Sequence, residues 1–424
     1  MYKRVDGYGL CVVGGGLSGV CAAIAAARQG TKVLLVEKTN ALGGAAVVNL
    51  VNPFMPYTTN IDGKVRSLSK GIFMEISNEL GCLDHKDGGR HVSYTFDEEQ
   101  MKIVLNRMCL ESGVQLLFGA YLCGCDRDGN KIKSITVSTV AGSVEIVADY
   151  FIDATGDGTL FMHAGCPYHL GRAADSLCQP MTLCFRAAGI NKEEFFKSRG
   201  ELNKLYKEYR AEGKIKNPRE DILSFKTVHD GVVHFNTTRV VKLDPTDPFD
   251  VTRAEIEARE QVYEVIEFMR EHSPACKNIK LLSTAIGIGV RESRMVDGEH
   301  VLNEMELKEC TRFEDSIALG NYDIDIHNPE GTGTSHYYFK AGEYYTIPYR
   351  SLIPKGMENL LVVGRCISAT HEAQASIRIM PIIACIGEAG GVAVAVAGKD
   401  GVGTNALDVS KVQKILSETN CEIF

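Results

Sequence analysis

Residues 9–38 read GLCVVGGGLSGVCAAIAAARQGTKVLLVEK. Gly9 to Val13 is a short apolar run that suits a fully buried strand, Val20 to Gln29 is alanine-rich and reads as a helix, and Lys32 to Val36 is a second strand ending at Glu37. Between the first strand and the helix lies Gly14-Gly15-Gly16-Leu17-Ser18-Gly19, a G-x-G-x-x-G in the strand, turn, helix setting that gives the pattern its physical meaning. The first glycine allows the tight turn, the second lets backbone approach a pyrophosphate, and the third permits close packing of helix on strand. The helix N-terminus then faces the anion. Glu37 follows Gly19 at the distance where a carboxylate accepts hydrogen bonds from a ribose. The stretch therefore predicts a dinucleotide-binding α/β unit.

Three further segments extend this reading. Leu42-Gly43-Gly44-Ala45 makes a second small-residue turn directly after the second strand. Residues 132–154 alternate apolar and polar around a turn at Val140 to Ser143, predicting a hairpin that ends on Asp153-Ala154-Thr155-Gly156-Asp157-Gly158. Before it, Glu98 to Ser112 reads as a helix leading to a strand at Gln115 to Phe118, which continues the βαβ pattern. Near the other end, Leu360 to Val363 is a buried strand closed by Gly364-Arg365, followed by a polar loop to Arg378 and a long helix starting near Met380 or Pro381.

Composition narrows the function classes. The chain has 424 residues, 45% apolar and 24% charged, which fits ordinary globular folds and excludes disordered or collagen-like ones. Its 42 glycines exceed the roughly 7% background, and the excess falls largely in the segments above. The net charge is −8, without a long run of like charges, so no nucleic-acid partner is expected. The 14 cysteines are scattered through apolar runs and form no C-x-x-C, which points to a reducing compartment and to no metal site. Lys3 and Arg4 before the uncharged Leu10 to Ala27 also fit the opening of a signal peptide, but four glycines and Asp6 count against it. Met380 to Gly398 is apolar yet carries Glu388, which favours a buried helix over a membrane span. A cytoplasmic protein with no membrane partner is expected, and its oligomeric state is left open.

Taken together, GGGLSG, Glu37-Lys38, LGGA, DATGDG, GVRESR at 289–294 and VGRCISATHEAQASIRIMP at 363–381 resemble the broad family of FAD-dependent oxidoreductases. In its nucleotide portion that family is similar to the fumarate reductase and glutathione reductase flavoproteins. The resemblance covers residues 8–398 and implies noncovalent FAD. It implies that Gly14, Gly16, Leu17, Ser18 and Gly19 hold the pyrophosphate and that Glu37, with Lys38 beside it, holds the adenosine ribose. Gly43, Gly44 and Ala45 would follow the diphosphate and ribitol, Thr155 and Gly156 would close over the adenosine side, and backbone near Tyr121 would meet adenine. Gly364 and Arg365 would lie by the ribitol, and Ser376, Ile377 and Arg378 would approach the flavin pyrimidine. No cysteine lies between Cys21 and Cys82, so a redox dithiol is not expected there, and no second complete G-x-G-x-x-G marks an NAD(P)H domain.

The expected architecture is an α/β Rossmann-like FAD-binding domain, a parallel sheet with an antiparallel β layer, assembled from residues 1–50, 91–164 and 351–424. An inserted α+β substrate domain would comprise residues 51–90 and 165–350. Within it Cys178 to Ala187 reads as a strand, Arg253 to His272 as an amphipathic helix, and Asn191 to Lys216 as an exposed helical excursion. The domain junction is where chemistry is expected. The candidates are His371 and Arg378 above all, then Arg291 with Glu292 and Arg294, His327 with Asp325, and His336, Tyr344, Tyr345 and Arg350. Arginine clamps a carboxylate, and histidine or tyrosine moves the proton that accompanies hydride transfer. The reading is a flavin oxidoreductase acting on a small molecule, with an unidentified electron acceptor or donor. Two other classes carry the same fingerprint: a flavin-dependent RNA-modifying enzyme and a non-catalytic flavin-binding interaction protein.

Overall fold

The apolar runs of the nucleotide segments become neighbouring strands of one sheet in the computed structural model, which describes residues 3–87 and 90–424. The order across this sheet is Gln115–Leu117, Val33–Val36, Lys3–Val13 and Gly142–Asp153, all parallel, after which Gly142–Asp153 has two further neighbours. Its carboxyl end pairs in parallel with Leu360–Val362, while its amino end pairs antiparallel with Lys131–Thr139, which in turn pairs with Tyr121–Asp128. The anticipated hairpin and antiparallel layer are thus present.

The register places function. Val13 is opposite both Val36 and Asp153, Val36 opposite Leu117, and Asp153 opposite Val362. Five strands therefore stop in one row, and the turns that leave them lie side by side although they are up to some 350 residues apart in the chain. Ligands of open α/β sheets bind outside such a row of carboxyl ends.

Two helices cover one face of this sheet and touch each other unusually closely. A Cβ on Gly387 would fall 2.0 Å from the Ser18 carbonyl oxygen, and one on Gly391 would fall 2.1 Å from that of Ala22. Only glycine at both positions lets Leu17–Arg28 and Met380–Asp400 pack backbone to backbone. The second helix is long and apolar enough to cross a membrane by length and composition, yet 94% of its apolar window is buried inside this protein. Buried Glu388 accepts a hydrogen bond from the Ile72 amide at 2.8 Å, and burial pushes its carboxyl up to about 7.

Buried apolar side chains form two separate cores. The first holds the sheet and also takes Phe54 to Leu80 and Val296 to Ile353, while the second collects Met181 to Ile288. The ranges 51–90 and 165–350 thus enclose more than the second core. That core is built on an antiparallel sheet ordered Ser224–Lys226, Val233–Phe235, Phe185–Ala188 and Lys280–Thr284, with Pro248–His272 and Lys192–Ala211 packed against it.

Three local expectations are corrected. The strand expected over Cys178 to Ala187 is regular only at Phe185–Ala188, because Pro180 has no amide to donate and the Gln179 amide goes to Glu292 instead. The helix Lys192–Ala211 is not an exposed excursion: Phe195, Leu202 and Tyr206 share one face and are buried in the second core. Residues 371–377 are a helix, not a polar loop, because the Thr370 side chain caps it by accepting from the Ala373 amide.

Candidate functional site

At the row of strand ends, the glycine turn presents backbone. Gly14 has φ +109°, and a Cβ there would meet the Ala154 carbonyl oxygen at 2.4 Å; a Cβ on Gly19 would meet the Gly14 oxygen at 1.9 Å. Gly16 is different, since its Cβ would have nothing nearer than the Gly44 Cα at 4.0 Å, leaving open space over the helix N-terminus. No side chain caps that end, so its first-turn amides are free for an anion. Leu17 and Ile377 are buried and offer backbone only.

Glu37 is buried just past the second strand. One carboxylate oxygen accepts from the Gly15 amide at 2.6 Å and the other from Thr39 at 2.7 Å, which fixes its orientation while leaving lone pairs to spare. The Ala120 amide bonds the Glu37 carbonyl oxygen, bringing the backbone before Tyr121 beside it, whereas the Tyr121 side chain is exposed. Gly43 pairs its amide with the Gly15 oxygen, and a Cβ on Gly44 would strike the Gly16 Cα at 2.8 Å, so the LGGA turn lies directly against the first one, with Ala45 half-buried behind it.

Asp153 is fully buried and closes its turn by accepting from the Thr155 hydroxyl and amide and from the Leu160 and Phe161 amides. The Thr155 side chain therefore shapes the turn. Past it, Arg365 lies over Gly156 and pairs with Asp157 at 2.6 Å. Burial alone would raise the Asp157 carboxyl, but Arg365, Lys38 and Ser293 overcome it and hold it below its usual range. Gly364 sits where a Cβ would meet the Ser18 hydroxyl at 2.8 Å, joining this strand end to the glycine turn. The Arg365 Nε is buried with no partner among the described residues. Open space over Gly16, uncapped helix amides, an oriented Glu37 and this orphaned donor fit the diphosphate and hydroxyls of FAD.

Beyond Arg365, whose carbonyl oxygen faces Gln374, the groups are side chains. His371 opens the short helix His371–Ile377, and its Nδ1 lies 2.8 Å from Glu292 Oε1, with both residues buried. The other Glu292 oxygen accepts from the Gln179 amide at 2.8 Å, and Gln179 bonds Gln374, which donates to the Arg291 carbonyl oxygen. The carboxylate thereby selects the His371 tautomer with Nδ1 protonated, leaving Nε2 without a partner among the described residues.

Arg378 ends the same helix, about 10 Å along its axis. Among the described residues its nearest carboxylate oxygen, on Asp325, is 3.6 Å away, and its Nε is buried and unpartnered. Arg291 donates from Nη1 to the Pro180 oxygen and the Thr182 hydroxyl, both at 2.6 Å. Burial first, then the nearby Arg378, push Arg291 down to about 9.

The remaining candidates are committed elsewhere. His327 contacts Arg239 through Nδ1 at 3.0 Å and Asp325 through Nε2 at 3.4 Å, and burial followed by Arg291 holds it well below its usual value, so it is a neutral spacer between them. Ser376 spends its hydroxyl on Tyr345 and the Tyr322 carbonyl. Arg294 donates to the Asp157 carbonyl, and Arg350 pairs with Asp315 at the surface. Tyr344 bonds Arg66. Asp323, Asp325 and His336 bring their ligand atoms within 4.8 Å, but His336 bonds Asp323 at 2.6 Å and Asp325 faces Arg378 and His327. Sequence reading did not single out Gln179, Gln374, Thr182 or Arg239; none carries a local pattern, and tertiary contact alone brings them here.

The model of the family described as FAD dependent oxidoreductase matches residues 9–416. No curated protein matches the chain. Among solved structures, it is similar to a geranylgeranyl bacteriochlorophyll reductase-like protein of Thermoplasma acidophilum, at 14% identity and a TM-score of 0.49 over 99% of this chain and 84% of that one. It is also similar to the p-nitrophenol 4-monooxygenase of Pseudomonas putida, at 11% identity and 0.47 over 98% and 87%, and to the myxobacterial chondrochloren halogenase, at 11% and 0.45 over 97% and 78%.

Proposed function

The chain belongs to the FAD-dependent oxidoreductase family, and on that premise we propose that it transfers hydride between a small organic substrate and FAD, a separate acceptor or donor completing the cycle. FAD is its cofactor. Gly14, Gly16, Leu17, Ser18 and Gly19 would hold the diphosphate by backbone, Glu37 and Lys38 the ribose, and Gly43 to Ala45, Gly364 and Arg365 the ribitol side. When bound, FAD supplies a two-electron centre that accepts or returns a hydride.

The observation that carries the reading is the buried Glu292–His371 pair at the cleft. Glu292 fixes the imidazole, so His371 Nε2 accepts the substrate hydroxyl proton as its neighbouring C–H is lost, or returns that proton in the reverse direction. The Glu292 carboxylate stabilises the imidazolium that results. Arg291 and Arg378 orient the substrate, and Tyr345 with Ser376 stiffens the helix that carries His371. Anaerobic mixing of the reconstituted enzyme with candidate alcohols and acids, read by loss of flavin absorbance, tests this. A protein that binds no flavin, or whose His371→Gln variant is reduced as fast as the parent, overturns it.

A further inference from the structure

Four arginines gather between the second core and the helix His371–Ile377: the charges of Arg378, Arg219 and Arg239 all bear on Arg291, with Arg219 and Arg239 buried and Arg291 and Arg378 half-buried. Two are matched by acids: Arg219 bonds Asp221 at 3.0 Å, and Arg239 pairs with Glu220 at 2.9 Å. The other two are not. Of the five N–H groups of Arg291, only those on Nη1 find acceptors among the described residues. Among the described residues Arg378 makes long contacts from Nη2, to the Asp325 carbonyl oxygen at 3.5 Å and to its carboxylate at 3.6 Å. Asp325 commits Oδ2 to His327 at 3.4 Å and the Tyr322 hydroxyl at 3.2 Å, its Oδ1 has no hydrogen-bond partner among the described residues, and its closest approach to Arg378, 3.6 Å, is longer than a hydrogen bond. Arg378 Nε is buried without a hydrogen-bond partner among the described residues, which is costly, and the two half-buried cations repel. An anion between them relieves both costs and gains charge-assisted hydrogen bonds.

We propose that Arg291 and Arg378 form a carboxylate-binding subsite beside His371, so that the substrate of the hydride transfer above is a small organic acid. This rests on that reading and narrows it. The charge facing the subsite favours an anion, since two guanidiniums stand against the Asp325 carboxylate. The FAD diphosphate does not compete, because its place is the Gly16 turn on the first core, whereas Arg291 is anchored through Pro180 and Thr182 to the segment entering the second. The acid is held so that its oxidisable carbon lies toward His371, since Arg291 adjoins Glu292, the partner of that histidine.

The test is calorimetric titration of the FAD-loaded enzyme with acetate, glycolate and succinate at constant ionic strength, with acetamide and inorganic phosphate in parallel and the flavin spectrum recorded throughout. At least one carboxylate is expected to bind saturably while acetamide does not. Arg291→Met is expected to weaken that binding roughly tenfold or more at unchanged flavin content. Arg291→Lys, which keeps the charge but loses the planar fork, should fall between the two, and it decides the matter if the Met variant does not fold. No saturable carboxylate binding by flavin-loaded protein, equal affinity in the variants, or preferred binding of phosphate overturns the subsite. Protein that retains no FAD overturns the function reading instead, so the two failures are distinct.

Discussion

At the row of strand ends the groups offered to a ligand belong mainly to the backbone; around His371 they belong to side chains. Around Gly16 and Gly44 the chain clears space and presents amides, and the neighbouring turns touch within van der Waals distance. Around His371 the contacts are made by Glu292, Gln179, Gln374, Arg291 and Arg378, drawn from segments nearly 200 residues apart. A backbone-built site depends on what is missing from the side chains, and one added methyl group destroys it. A side-chain network loses one function at a time.

The largest effect should come from breaking the first side. Gly19→Ala places a methyl carbon against the Gly14 oxygen, where 1.9 Å is available, and is expected to lower FAD content at least roughly tenfold, measured as flavin absorbance per protein. Retained flavin would show that the turn tolerates side chains and dissolve the contrast. Next in size is the seam between the two cores, where Arg186 of the strand Phe185–Ala188 is paired with Glu98, both buried. Glu98→Ala leaves the arginine charge uncompensated and should cost about 3–5 kcal/mol in urea unfolding.

On the side-chain face, His371→Gln should slow flavin reduction by substrate about 100-fold with FAD content unchanged, and Glu292→Gln should slow it less, because the imidazole remains but loses its orientation. Equal losses of flavin and rate in both would mean that the pair is structural. The smallest effect lies outside both faces. Glu388, raised to about 7 by burial, titrates near 4.3 when unfolded, so the protein binds a proton on folding between these values. Its contribution is full below the unfolded value and is lost as pH rises through about 7. Glu388→Gln should flatten the decline in melting temperature between pH 5 and 8, worth about 1–3 kcal/mol; an unchanged decline would assign it to other groups.

The contrast also explains what could be read before any fold was known. Glycines are legible because each answers a local steric demand, so the turns at 14–19, 43–45, 153–158 and 364 followed from spacing and neighbouring apolar runs. His371 and Arg378 were reachable only through the motif they sit in. That Glu292 orients His371, or that Thr182 anchors Arg291, has no local signature, since these contacts join residues 79 and 109 positions apart. The errors have the same origin: Phe195, Leu202 and Tyr206 were hidden among lysines, and the helix His371–Ile377 depends on one threonine cap.

The row of strand ends has a consequence for how the protein is made. Synthesis from the amino terminus delivers four of its five strands by Asp153, yet Leu360–Val362 and the two glycines that seat Met380–Asp400 against Ser18 and Ala22 arrive more than 200 residues later. A nascent chain therefore exposes an unfilled sheet position and a bare helix face until these segments emerge, and closing them means forming contacts of very long sequence separation. A ligand held along the whole row would be captured only after segments some 350 residues apart have met.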